Sequence, residues 1–163
     1  MPLDAPFRLG QFMVDRQGRL LPGAPDATPT LFLQWRGLAV SVRLAAAGGA
    51  DGGNLAMSAV IGRVPSTASD PGGSAGLRTR ALATIDSLAA GMDNGWRLRL
   101  LADHTACIEA ARGLALPATA SALLTAVTCF LLELAPYLDL LAEPDCGVEA
   151  PGGKAGMVKI CPG

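Results

Sequence analysis

Histidine is almost missing from this chain: His104 is the only one in 163 residues. Any triad, dyad or general-base scheme that needs an imidazole must therefore run through that position. Cysteine is sparse and poorly spaced for metal. Cys107, Cys129, Cys146 and Cys161 include no Cys-x-x-Cys pair and no companion His pair, so the ligand spacing of a zinc site is lacking. Charge is scarce too, at 17% of residues, and 13 Lys+Arg against 14 Asp+Glu leave a net charge of −1. Phosphate backbones are recognised through clustered cations, and the Arg residues here are scattered among acids, so nucleic acid is not an expected partner. The stretch Gly48-Gly49-Ala50-Asp51-Gly52-Gly53 lacks a Gly-Lys-Ser/Thr ending and leads into a strand pattern, which makes it a connector and not a phosphate loop. Asp15, Asp86, Asp93 and Glu109 show no paired-carboxylate spacing, so glycosidase chemistry has no support. From sequence, no catalytic residue, metal ligand or cofactor is assigned.

Apolar residues are plentiful. They make up 50% of the chain, which with the low net charge places it among globular sequences and far from disordered ones. The length suits one domain, expected over residues 1–144, followed by a flexible Gly- and Pro-rich tail over 145–163. The first twenty residues include Asp4, Arg8, Asp15, Arg16 and Arg19, and hold no apolar run of roughly 7–15 residues, so a secretory signal is not expected there. Eleven of the thirteen cations are Arg, and Ala, Gly and Leu dominate, as in the coding bias of a GC-rich bacterial genome. The expected location is the cytoplasm, where the thiols stay free. Cys146 and Cys161 flank the Gly-rich tail and are the pair that oxidation would join.

Hydrophobic periodicity organises the rest. Gln11–Val14 and Arg19–Leu21 flank the turn Asp15-Arg16-Gln17-Gly18 and read as a short hairpin, and Pro22 to Pro29 reads as a loop. Leu31–Trp35 and Leu38–Leu44 flank Arg36-Gly37. In the second run Leu38, Val40, Val42 and Leu44 share one parity while Ser41 and Arg43 take the other, the alternation of a half-buried strand. Leu55 to Val64 is a further strand, and Ser66 to Gly76 a polar loop. At Leu77 the period changes to three and four residues and holds to Ala90, which predicts an amphipathic helix stopped at Gly91. Trp96–Leu101 and Thr105–Ala111 form a hairpin about Ala102-Asp103-His104. There His104 has a turn role beside Asp103, with Cys107 close by in sequence. Pro117 suits the first turn of a long last helix, whose stripe is Leu123, Leu124, Val127, Phe130, Leu131, Leu134, Leu138 and Leu141 and which Pro144 ends. Pro136 lies inside it and should bend it. Met157–Ile160 is a candidate final short strand. The fold class that follows is α+β: an antiparallel sheet of about five to six strands packed against two helices, the C-terminal one long.

That last helix has more apolar surface than one sheet face needs. Leu114 to Leu132 is an uncharged run of 19 residues, enough to cross a hydrocarbon core of about 30 Å. Its Thr119, Ser121, Thr125 and Thr128, and the lack of cationic or aromatic anchors at its ends, argue against a spanning segment. Ala122, Ala126, Cys129, Leu132 and Leu140 fall largely outside the primary stripe, and a helix apolar nearly all round is covered on more than one side. The cover is either strands and loops of the same chain or a second surface, a copy of the chain or a partner protein, and in the second case Cys129, Leu132 and Leu140 are the contact residues. Arg97 and Arg99 share one face of a strand, with Arg112 at the far end of its hairpin partner and Glu109 in reach. They read either as a solvated sheet face, the usual role of exposed charges, or as a small basic patch contacting an acidic peptide.

The order strands, helix, two-strand hairpin, long terminal helix, carried by Leu31–Leu44, Leu55–Val64, Leu77–Ala90, Trp96–Ala111 and Pro117–Ala142, resembles the fold family of type III secretion chaperones and related chaperone-like bacterial proteins. The resemblance implies a homodimer that holds partner polypeptides on a sheet surface and has no catalytic residues. Sequence thus favours a non-enzymatic protein- or peptide-binding module, chaperone-like or adaptor. Set against it are a small hydrolase dependent on His104 and a membrane-associated subunit.

Overall fold

A computed structural model describes residues 5–22, 28–46, 52–66, 74–92, 95–142 and 146–151. Alternation of core-facing apolar residues with outward-facing ones builds the long strands, and a shift to helical spacing builds the two helices. In chain order the elements are β1 (Phe7–Leu9), β2 (Phe12–Val14), β3 (Leu20–Pro22), β4 (Thr30–Trp35), β5 (Leu38–Ala46), β6 (Gly52–Arg63), α1 (Ser74–Ala90), β7 (Trp96–Leu100), β8 (Thr105–Ala115) and α2 (Ala120–Leu141). The α+β class read from the sequence is therefore the one found. Its strands divide into two antiparallel sheets, a three-stranded one ordered β1-β2-β3 and a five-stranded one ordered β4-β5-β6-β8-β7.

One face of the five-stranded sheet is the core. It carries Leu38, Val40 and Val42 from β5, Leu55, Met57, Ala59 and Ile61 from β6, and Ala106, Ile108 and Ala110 from β8, all buried. Ala81, Ile85 and Leu88 of α1 and Leu123, Val127, Phe130 and Leu134 of α2 join the same cluster, the spacing that puts one helical stripe against a sheet. Trp96, at the start of β7, stacks on Phe130 with ring centroids 5.1 Å apart and planes 8° from parallel, and Tyr137 lies 6.0 Å from the same indole. The hairpin between β4 and β5 turns on Arg36 and Gly37, both at positive φ, and Arg36 reaches Asp139 of α2 at 3.0 Å.

The small sheet seals one end of this core with Phe12, Val14 and Leu20. Toward α2 its attachment is backbone to backbone: the Leu20 amide donates to the Ala118 carbonyl and the Ala120 amide to the Gly18 carbonyl, each at 2.8 Å. The turn between β2 and β3 closes on Asp15, whose carboxylate accepts from the amides of Gln17 and Arg19, both at 2.9 Å, and from Arg19 Nε at 2.7 Å. The Arg19 amide, helped by the Arg19 guanidinium and the Gln17 amide, holds the Asp15 carboxyl below the ordinary carboxylate range.

Several boundaries differ from the sequence reading, each for a local reason. β1 adds a strand that the sequence reading does not contain; only three residues long and largely exposed, it leaves no alternation to read. α1 begins at Ser74, so part of the expected polar loop is helical. Pro117 lies before α2, after a cis Leu116–Pro117 bond; the helix starts where Thr119 caps it, its hydroxyl accepting from the Ala122 amide at 3.2 Å. α2 ends at Leu141, before Pro144 is reached.

The start of the expected tail is docked. Cys146 is buried, its carbonyl accepts from Thr84 of α1 at 3.0 Å, and Arg63 and Glu149 exchange two backbone hydrogen bonds of 2.9 Å. Two glycines permit that approach: a Cβ on Gly147, at φ +73, would lie 2.7 Å from the Leu77 carbonyl oxygen, and one on Gly62 would lie 2.5 Å from Val148 Cγ1. The suggested strand Met157–Ile160, Cys161, residues 23–27 and residues 48–51 lie outside the described residues, and Gly52 and Gly53, expected in the connector, open β6.

Candidate functional site

The second face of the five-stranded sheet has neither helix over it. Cross-strand register sets Phe32, Ser41, Ser58, Glu109 and Arg97 in one row, and Thr30, Arg43, Ala56 and Ala111 in the next. Ser41 and Ser58 share a 2.8 Å hydroxyl–hydroxyl hydrogen bond, and Phe32 stands 49% exposed. Because Ala56 and Ala111 are small, the middle of this face sinks into a recess of about 350 Å³ lined by Arg43, Asn54, Ala56, Ser58, Arg97 and Glu109.

The arginines of this face are not equivalent. Arg97 stands directly opposite Glu109 in register, but the Glu109 carboxylate pairs with Arg99 at 3.1 Å on the diagonal. Among the described residues neither Arg97 nor Arg43 has a hydrogen-bond or ion-pair partner. Arg112 does not belong to the patch in which the sequence reading put it. It is three residues from Glu109, an odd number, so the period of two turns it to the helix side, where it pairs with Glu133 of α2. Arg43 takes its place on the open face. Alternation alone assigns Arg43 the polar parity of β5, but only strand pairing brings it to the same recess as Arg97.

A second candidate surface is the outward side of α2. Leu124, Leu132 and Leu140 are 50%, 66% and 51% exposed, and Cys129 is half-buried. Ser121, Thr125 and Thr128 stand exposed around them. Within one chain the helix is thus covered on one side only. Cys129, Leu132 and Leu140 lie in the helix layer while Arg97 and Arg99 lie beyond the sheet, so the five residues read together as partner-binding belong to two opposite surfaces. α2 is also the one described helix long and apolar enough to cross a membrane by length and composition.

His104 sits in the turn between β7 and β8 at φ +66. Its amide donates to the Leu101 carbonyl and its carbonyl accepts from the Val64 amide, both at 2.9 Å, so its backbone closes the hairpin and ties it to the end of β6. Cys107 is fully buried in β8, and Cys146 donates its thiol to the Leu141 carbonyl at 2.9 Å. Among the described residues no three His, Cys, Asp or Glu side chains gather in a metal-binding group. Comparisons with protein-family models, with curated proteins and with solved structures give no match to this chain.

Proposed function

We propose that this chain is a non-enzymatic protein- or peptide-binding module, chaperone-like or adaptor, that works in the cytoplasm as a homodimer joined through the outward side of α2. The observation that carries the reading is the exposure of Leu124, Leu132 and Leu140 on a helix already anchored through Leu123, Val127, Phe130 and Leu134. Fully burying a leucine gains about 1.5–3 kcal/mol, so three per chain on a two-fold axis supply an associating force that the fold of one chain does not consume. The exposed Ser121, Thr125 and Thr128 are small enough to let a second helix come close.

Sedimentation equilibrium at micromolar concentration tests this. The unaltered chain is expected to be a dimer, and Leu132→Glu a folded monomer that still melts cooperatively, because Leu132 is 66% exposed in its own chain. A monomeric unaltered chain, or a Leu132→Glu variant that still dimerises, would overturn the proposal.

A further inference from the structure

We infer that the recess on the open sheet face takes an extended polypeptide segment bearing two carboxylates, one for Arg43 and one for Arg97. This rests on the reading of the chain as a polypeptide-binding module and is independent of whether α2 forms a dimer.

Charge supplies the first argument. Among the described strand residues the open face holds Arg43, Arg63, Arg97 and Arg99 against the single carboxylate of Glu109, and that carboxylate is taken by Arg99. Arg63 donates Nε to the Asp103 carbonyl at 3.2 Å. Two guanidiniums therefore remain without a partner on the rim of one recess. Planar fork donors of this kind match carboxylates in a bidentate fashion.

Shape supplies the second. Between the two arginines the floor is Ala56 and Ala111, with Asn54 and Ser58 as polar neighbours and Glu109, held by Arg99, beside Arg97, so a backbone can descend to the sheet over the two alanines. Arg43 lies on β5 and Arg97 on β7, three strand spacings across and two residues along, which places their Cα atoms roughly 16 Å apart. In an extended chain, side chains at i and i+4 share a face and lie about 13–14 Å apart, and the arginine side chains span the remainder. The exposed ring of Phe32 lies at the β4 end of the adjoining row, where an apolar neighbour of the acidic pair would rest.

The test is fluorescence anisotropy with a fluorescein-labelled peptide containing Glu-Ala-Ser-Ala-Glu, at low salt, on the full chain and on the Leu132→Glu variant. Saturable binding by both is expected. Arg43→Ala and Arg97→Ala should each weaken it by about tenfold, and about 0.5 M NaCl should weaken it strongly. Arg16→Ala, which removes an exposed arginine of the N-terminal turn, should leave it unchanged. Both arginines are surface side chains without partners, so unchanged melting curves of their variants separate lost contact from lost fold. No binding at about 1 mM peptide, equal binding of the Gln-Ala-Ser-Ala-Gln peptide, or indifference to both substitutions would overturn the inference. So would free glutarate competing as well as the peptide, since the recess would then take a small dicarboxylate. Binding by the unaltered chain but not by a monomeric Leu132→Glu variant would overturn the independence from dimerisation.

Discussion

On the helix-covered face of the main sheet stand Val40, Val42, Leu55, Met57 and Ile108; on the opposite face, one residue away along the same strands, stand Ser41, Arg43, Ala56, Ser58 and Glu109. The backbone is common to both, so the difference comes from the period of two alone. The covered face spends its side chains on burial, and its energetics are those of a close-packed interior. The open face has small side chains at its middle, Ala56, Ser58 and Ala111, and two arginines without a partner among the described residues, so neither packing nor ion pairing covers it.

Three substitutions sharpen this contrast. The largest effect is expected at Phe130, fully buried and stacked on Trp96: Phe130→Ala should cost about 3–5 kcal/mol in chemical denaturation. A loss under about 1 kcal/mol would mean that α2 is not held by that contact. Gly147→Ala comes next, because a Cβ would press on the α1 backbone from a left-handed conformation; about 1–3 kcal/mol is expected by the same assay. No loss would show that the 146–149 segment does not lie against α1 in solution. Smallest is Ser58→Ala on the open face, where only the hydrogen bond to Ser41 goes, for about 1 kcal/mol or less. A cost near that of Phe130→Ala would erase the distinction between the faces.

The strands and helices were legible because their periods are clean. Leu38 to Leu44 alternates without a break, and the α2 stripe recurs at three and four residues for five turns. Other features depend on neighbours distant in sequence. The small sheet stands apart because β3 bonds to the start of α2 and not to β4. The docking of Cys146–Glu149 depends on two glycines whose purpose appears only when Leu77 and Val148 are beside them. Composition alone marks the same stretch as loose. The site shows the same division. Arg97 and Arg99 could be put on one strand face from spacing, but Arg43 joins them only through the pairing of β5 with β6 and β6 with β8. Counting from Glu109 by twos would have removed Arg112 from the patch. Leu132 and Leu140 fall off the stripe on a helical wheel and are exposed, but Leu124, which the same wheel counts within the stripe, is 50% exposed because the buried line runs through Leu123, Val127, Phe130 and Leu134.

The central claim is that the outward side of α2 meets a second copy of itself. Analytical ultracentrifugation of the unaltered chain across a wide concentration range tests it most directly. A reversible shift from one-chain to two-chain mass is the predicted result; sedimentation at the mass of a single chain at every concentration would contradict it.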